Sequence, residues 1–264
     1  MKRIFLIAAS LLVARAATAG VYVETVDHNM STNTTTLFQK MYLQDGAGRI
    51  VDSSGRASIF KGNTMYVVDD ADKSYIVFDK ATMTVLAKKM NDEMARVKDQ
   101  LAKLPAEQRE QMEASMGKIP GMGASDQKWT VEALDTGKSD KVDGRVCKLW
   151  DIKRNGELDE QVCVVPFAAL PGKENFQSVF GNFSKVFDEM SKSIPMLAGM
   201  MGNEFAVHMK TNGYPVRMRS YENGRLAPEE TVMKVWREEA VPAAAFEVPA
   251  GYQLKQMSTV PGAN

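Results

Sequence analysis

Between residues 21 and 79 apolar and polar positions alternate in short runs, at 21–27, 34–44, 48–52, 56–61, 64–69 and 74–79. The runs are separated by turn-forming pairs, Asp45-Gly46, Ser54-Gly55, Gly62-Asn63 and the stretch Asp70-Ala71-Asp72. A period of two broken at such spacing predicts strands of an antiparallel meander. The period then changes. Leu86, Met90, Met94, Val97, Leu101 and Leu104 recur at intervals of three and four and lay one apolar stripe along a helix. Pro105 ends or restarts it, and residues 106–116 read as a second, shorter helix with Met112 and Met116 one turn apart.

Strand character resumes at 128–135 and continues in the pair 145–154 and 157–165, which turns at Asn155-Gly156. A two-residue turn sets Cys147 opposite Val164. A three-residue turn with Gly156 in a bulge sets Cys147 opposite Cys163, and this second register is the expected one, although it faces Asp151 with Asp159. Phe176, Phe180, Phe183, Phe187, Met190, Ile194, Leu197 and Met201 then form the strongest helical stripe of the chain, interrupted near Pro195. Three further strands, 204–211, 214–222 and 225–237, are expected to close the sheet through Asn212-Gly213 and Asn223-Gly224.

Strands with a few helical insertions, near 84–117 and 174–201, predict an α+β fold in one domain over residues 20–264. The first nineteen residues stand apart. Lys2 and Arg3 precede an apolar run from Ile4 to Ala14 too short to span a bilayer, and Ala17-Thr18-Ala19 has the small-x-small form of a cleavage site. The expectation is a signal peptide cleaved after Ala19 and a mature chain of about 245 residues in the periplasm or secreted, with no transmembrane segment. Loss of Lys2, Arg3 and Arg15 takes the 33 basic side chains to 30 against 33 acidic ones, a net charge near −3. That balance offers nucleic acid nothing.

In an oxidising compartment Cys147 and Cys163, placed across one hairpin, are expected to form a structural disulfide; they lack the C-x-x-C spacing of a redox pair. His28 and His208 belong to no frame that organises a nucleophile or a metal, and the pairs Glu229-Glu230 and Glu238-Glu239 read as solvent-facing charges, because adjacent strand residues point to opposite faces. Asp69-Asp70-Ala71-Asp72 lacks the glycine and distal glutamate of a calcium loop and reads as a solvated turn. No catalytic residues and no cofactor are expected. Methionine, at 18 residues, is two to three times ordinary usage. Thioethers suit Cu(I), so Met112, Met116 and Met122, or Met196, Met200 and Met201 with His208 and Met209, make an alternative copper site. Otherwise methionine is adaptable lining for an apolar surface, or core filler.

The order of MYVVDDADKSYIVFD, LPAEQREQME, VDGRVCKLWDIKRNGELDEQVCV, YPVRMRSYENGR and a terminal FEVPAGYQ resembles a bacterial family of exported domains, domain-of-unknown-function family 4412. That family is similar in organisation to the LolA and LolB lipoprotein carriers and to the regulator RseB. The resemblance implies an antiparallel half-barrel of about ten to eleven strands with helices on its concave face, and Phe246 and Tyr252 packed on the sheet. It further implies a noncatalytic binding protein for a hydrophobic ligand, a lipid or lipoprotein acyl chain, or for an envelope protein partner. The candidate cavity residues are Phe176, Phe180, Phe183, Phe187, Met190 and Leu197 from one helix with Met90, Met94 and Val97 from the other. A structural or protein-interaction domain with a fully packed core is the remaining alternative.

Overall fold

The computed structural model describes residues 19–116, 130–193 and 210–255. The expected signal segment before residue 19 lies outside them. Twelve strands among the described residues form one sheet: β1 (Gly20–Asn29), β2 (Thr34–Gln44), β3 (Ala47–Asp52), β4 (Ala57–Lys61), β5 (Thr64–Asp69), β6 (Ser74–Phe78), β7 (Val131–Val142), β8 (Arg145–Arg154), β9 (Glu157–Pro166), β10 (Gly213–Glu222), β11 (Arg225–Glu239) and β12 (Gln253–Leu254). The helices whose bounds lie within the described residues are α1 (Lys80–Ala102), α2 (Ala106–Met116) and α3 (Lys173–Ser193). The strand order is β12-β6-β5-β4-β3-β2-β1-β11-β10-β9-β8-β7. All neighbours are antiparallel except β12, which adds to β6 in parallel. Two meanders, β1 to β6 and β7 to β11, are thus joined through β1 and β11 into an open sheet.

The six strands of the first meander occupy the positions that alternation predicts. β6 stops one residue early because Asp79 leaves it to cap α1, its carboxylate accepting from the Thr82 amide at 2.8 Å. Such a cap stabilises a helix by about 1 kcal/mol. On α1 the buried side chains are Met83, Ala87 and Leu101.

Two expectations are corrected. The strand expected to end at residue 135 runs on to Val142, because Gly137, with φ of 69°, makes a bulge within β7 rather than a turn after it. The strand expected at 204–211 lies almost wholly outside the described residues, and its two described members, Lys210 and Thr211, are helical and in a turn. Asn212, at φ 49°, makes the reversal into β10. The second correction concerns the cysteine hairpin. Its turn is two residues long, with Asn155 and Gly156 both at positive φ, and Asp159 bulges out of β9 so that Ile152 faces Glu160 and Leu149 faces Cys163. Cys147 and Cys163 are therefore joined diagonally, with Cα atoms 5.3 Å apart. The bulge removes the Asp151–Asp159 opposition: Gln161 now faces Asp151 and donates to it at 3.0 Å, while Asp159 pairs with Arg154.

Both faces of the first meander are covered. On one, the terminal segment carries Val241 and Phe246 onto Ala57, Ile59 and Val68, with Tyr252 packed beside them. The acidic turn expected to be solvated anchors that segment: Asp70 accepts from the Tyr252 hydroxyl at 3.0 Å and Asp72 pairs with Lys255 at 2.7 Å. The other face carries α3.

Candidate functional site

The Phe176 stripe forms because α3 brings residues three and four apart onto one side. Phe176 and Val179 are buried, and Phe180 is partly buried beside them. The helix lies against β1 to β4 and touches α1. It is held at the β2–β3 turn by polar contacts, the Asp45 amide donating to the Asn175 side chain at 3.0 Å and the Asn182 side chain donating to the Gly46 carbonyl at 3.3 Å.

Phe176 is the centre of an aromatic group. Phe180 stacks on it at 4.0 Å, Phe167 lies 4.9 Å away, and Tyr214 meets it edge-on at 5.3 Å. Trp236 closes the group 5.0 Å from Tyr214 and donates its indole N–H to the Pro171 carbonyl at 2.8 Å. Gly213 admits this arrangement, since a Cβ there would stand 2.4 Å from the Val165 carbonyl oxygen.

Beside this group, between α3 and the strands, is an apolar cleft of about 240 Å³. Phe176, Phe180, Tyr214, Met41, Met218 and Met233 line it, with Thr25, Gln39 and Thr231 at polar positions. A smaller hollow of about 50 Å³ shares Met41, Ile50 and Phe180 with it. The Thr231 hydroxyl donates to Asp27 at 2.7 Å and that of Thr25 makes a long contact, 3.5 Å, to the Gln39 carbonyl. Tyr214 is different. Its ring is buried, burial pushes the phenol pKa far up, and among the described residues its hydroxyl has no hydrogen-bond partner. The cleft is thus lined mainly by thioethers and aromatic rings, with Thr25, Gln39 and Thr231 as its other polar residues, a lining chemically suited to aliphatic groups.

Of the residues expected to line a cavity, Phe176 and Phe180 do so. Phe183, Phe187 and Met190 belong to α3, but their side chains lie outside the described residues, as does that of Met94; Leu197 lies outside them entirely. Met90 packs beside Met83 and Ala87 on α1, and neither it nor Val97 borders this cleft. The strand residues Met41, Tyr214, Met218 and Met233 were missing from the expected set. Their alternation marks them only as one side of a strand, and which side meets α3 depends on register. Met122, Met196, Met200, Met201, His208 and Met209 of the copper alternative lie outside the described residues, with the Met116 side chain, while Met112 is exposed on α2.

His28 belongs to a charge network away from the cleft. Its Nδ1 lies 3.1 Å from Glu230 and its Nε2 3.1 Å from Asn33. Arg219 donates to the other Glu230 oxygen at 2.7 Å, and Arg217 bonds Asp140 at 2.7 Å. Glu230, expected to face solvent, is only 10% exposed. Burial pushes its pKa up, but the hydrogen bonds from Arg219 and His28 outweigh that and hold it below the usual range. The Glu230 hydrogen bond raises the His28 pKa in turn. Every charge here has an opposite neighbour. Among the described residues no cluster of histidine, cysteine or carboxylate side chains is arranged to hold a metal, and no helix is long and apolar enough to cross a membrane.

An uncharacterized conserved protein from Thermus thermophilus, known from its crystal structure, is similar over 90% of each chain, with 6% identity and a TM-score of 0.43. No curated protein matches the sequence. The family model described as a domain of unknown function, DUF4412, matches residues 81–252, a span that runs from the second residue of α1 through α2, the disulfide hairpin and α3 to the Phe246 segment, and the chain belongs to that family.

Proposed function

We propose that this protein is an exported, noncatalytic binding protein that holds a hydrophobic ligand, the acyl chain of a lipid or lipoprotein, in the cleft between α3 and the sheet. The observation that carries the reading is the cleft itself, apolar, about 240 Å³, and lined by the buried Tyr214, whose hydroxyl has no protein partner among the described residues. Its volume is just below the roughly 300 Å³ at which small-molecule pockets begin, which suits a single aliphatic chain better than a ring system. An ester or amide carbonyl of such a ligand would accept from Tyr214, removing the cost of an unmatched buried donor. The positive-apolar-small pattern of the first nineteen residues and the disulfide both favour an oxidising compartment outside the cytoplasm. The open antiparallel sheet with α3 along one face is compatible with the half-barrel of lipoprotein carriers. The absence of a role in catalysis is supported by the His28–Glu230 contact, which Arg219 and Asn33 tie into a neutralised network.

Native mass spectrometry of the protein purified from its own envelope, followed by denaturation, tests this. A lipid or lipopeptide that dissociates on denaturation is the expected result. A copper adduct would replace it with the methionine-site reading, and a bare chain would leave a protein-interaction role in its place.

A further inference from the structure

We propose a second ligand site, for an aliphatic carboxylate, in the cleft between the first turns of α1 and the β6–β12 edge of the sheet. This cleft, of about 460 Å³, shares no lining residue with the one beneath α3 and falls within the range of small-molecule pockets. Ile76, Val77, Leu86 and Leu254 give it apolar walls. Val85 and Leu254, which border it, are 56% and 58% exposed. Helix α1 carries two stripes here. Met83, Ala87 and Met90 pack together, whereas Ala81, Val85 and Lys89, spaced four apart, run along the cleft for about 12 Å.

The charges in this cleft lie apart, Asp79 at the start of α1, Lys255 beside Leu254 and Lys89 ten residues along the helix from Asp79. Asp79 is committed to the Thr82 amide, which together with its own hydrogen bonds lowers its pKa, and Lys255 is committed to Asp72. Lys89, exposed at the far end of the Ala81–Val85 stripe, has no ion pair or hydrogen bond among the described residues. An apolar trough with one unpaired ammonium at its Lys89 end, about 15 Å along α1 from the Asp79 carboxylate, complements a chain of methylenes whose single carboxylate lies at Lys89. A single free cation is too little for a polyphosphate or a nucleic acid.

The test is titration of the full chain with dodecanoate below its micelle concentration, read by backbone amide NMR shifts. The shifts are expected at residues 81–89 and 254. Lys89→Glu, which leaves the fold intact because the side chain is exposed, should weaken binding about tenfold, and dodecanol, with the same chain and no charge, should bind about tenfold more weakly than dodecanoate. Val85→Asp should abolish the shifts at those amides. Shifts confined to the surroundings of Phe176 and Tyr214, the absence of any shift, or equal binding of dodecanoate to the Lys89→Glu variant would overturn this site. Failure of this site is read at the amides of residues 81–89 and 254, and failure of the α3 reading at those around Phe176 and Tyr214, so the two are distinguishable.

Discussion

Gly48 lies directly beneath Val179: a Cβ added to residue 48 would stand 2.7 Å from Val179 Cγ1, a separation that side chains do not tolerate. The close approach of α3 to β3, and with it the position of Phe180 over the cleft, depends on that missing methyl. Gly48→Val is expected to lift the helix and to lower stability by about 1–3 kcal/mol, the usual cost of overpacking. Urea unfolding monitored by tryptophan fluorescence measures this. An unchanged midpoint would mean that α3 is not seated on β3.

Tyr214→Phe separates packing from polarity in the cleft. It removes a buried hydroxyl without a partner among the described residues while keeping the ring against Phe176 and Trp236. The ligand-free protein should therefore lose no stability and gain up to about 1 kcal/mol. Acyl-ligand affinity should fall about fivefold, because the carbonyl loses its donor. Thermal melting and ligand titration of the two proteins check both parts, and a clear loss of stability would show that the hydroxyl is satisfied in the native state.

The pH dependence follows from the His28–Glu230 pair. His28 has a raised folded pKa, so its contribution is complete below the ordinary value of 6.5 and is lost as pH rises through the folded value. Glu230 has a lowered pKa, so its contribution is complete above 4.5 and is lost as pH falls through the folded value. Both are present between about pH 4.5 and 6.5. His28 is partly exposed, and its effect is small. His28→Gln should flatten the decline of melting temperature above pH 6.5 and weaken the acid limb only in part, because Arg219 still holds Glu230; an unaltered alkaline limb would exclude His28 as its source.

Cys147 and Cys163 are each 1% exposed, so dithiothreitol should reduce their bond only as the protein unfolds. A bond joining residues 16 apart contributes about 3 kcal/mol by loop closure. The double variant Cys147→Ala with Cys163→Ala should lose about that much, measured by denaturant titration, and retain the β8–β9 pairing, which rests on its backbone ladder and the Asn155-Gly156 turn.

What the chain declares locally, it declares well. The alternation of β1 to β6, the Asn155-Gly156 reversal and the three-and-four spacing of α1 and α3 are properties of neighbouring residues, and each element lies close to where its pattern places it. Phe176 and Phe180 could be named as lining for the same reason: a helix stripe shows its buried side in its own spacing. Other features depended on distant partners. The bulge at Asp159 was decided by charges facing it across the hairpin, and the diagonal disulfide followed from that shift. Glu230 was drawn out of solvent by Arg219 on β10 and His28 on β1, which no local pattern joins to it. The strand side of the cleft, Met41, Tyr214, Met218 and Met233, was set by how far β2, β10 and β11 slide against one another. A strand's two sides are equivalent until register and an overlying helix distinguish them, and those are relations between segments.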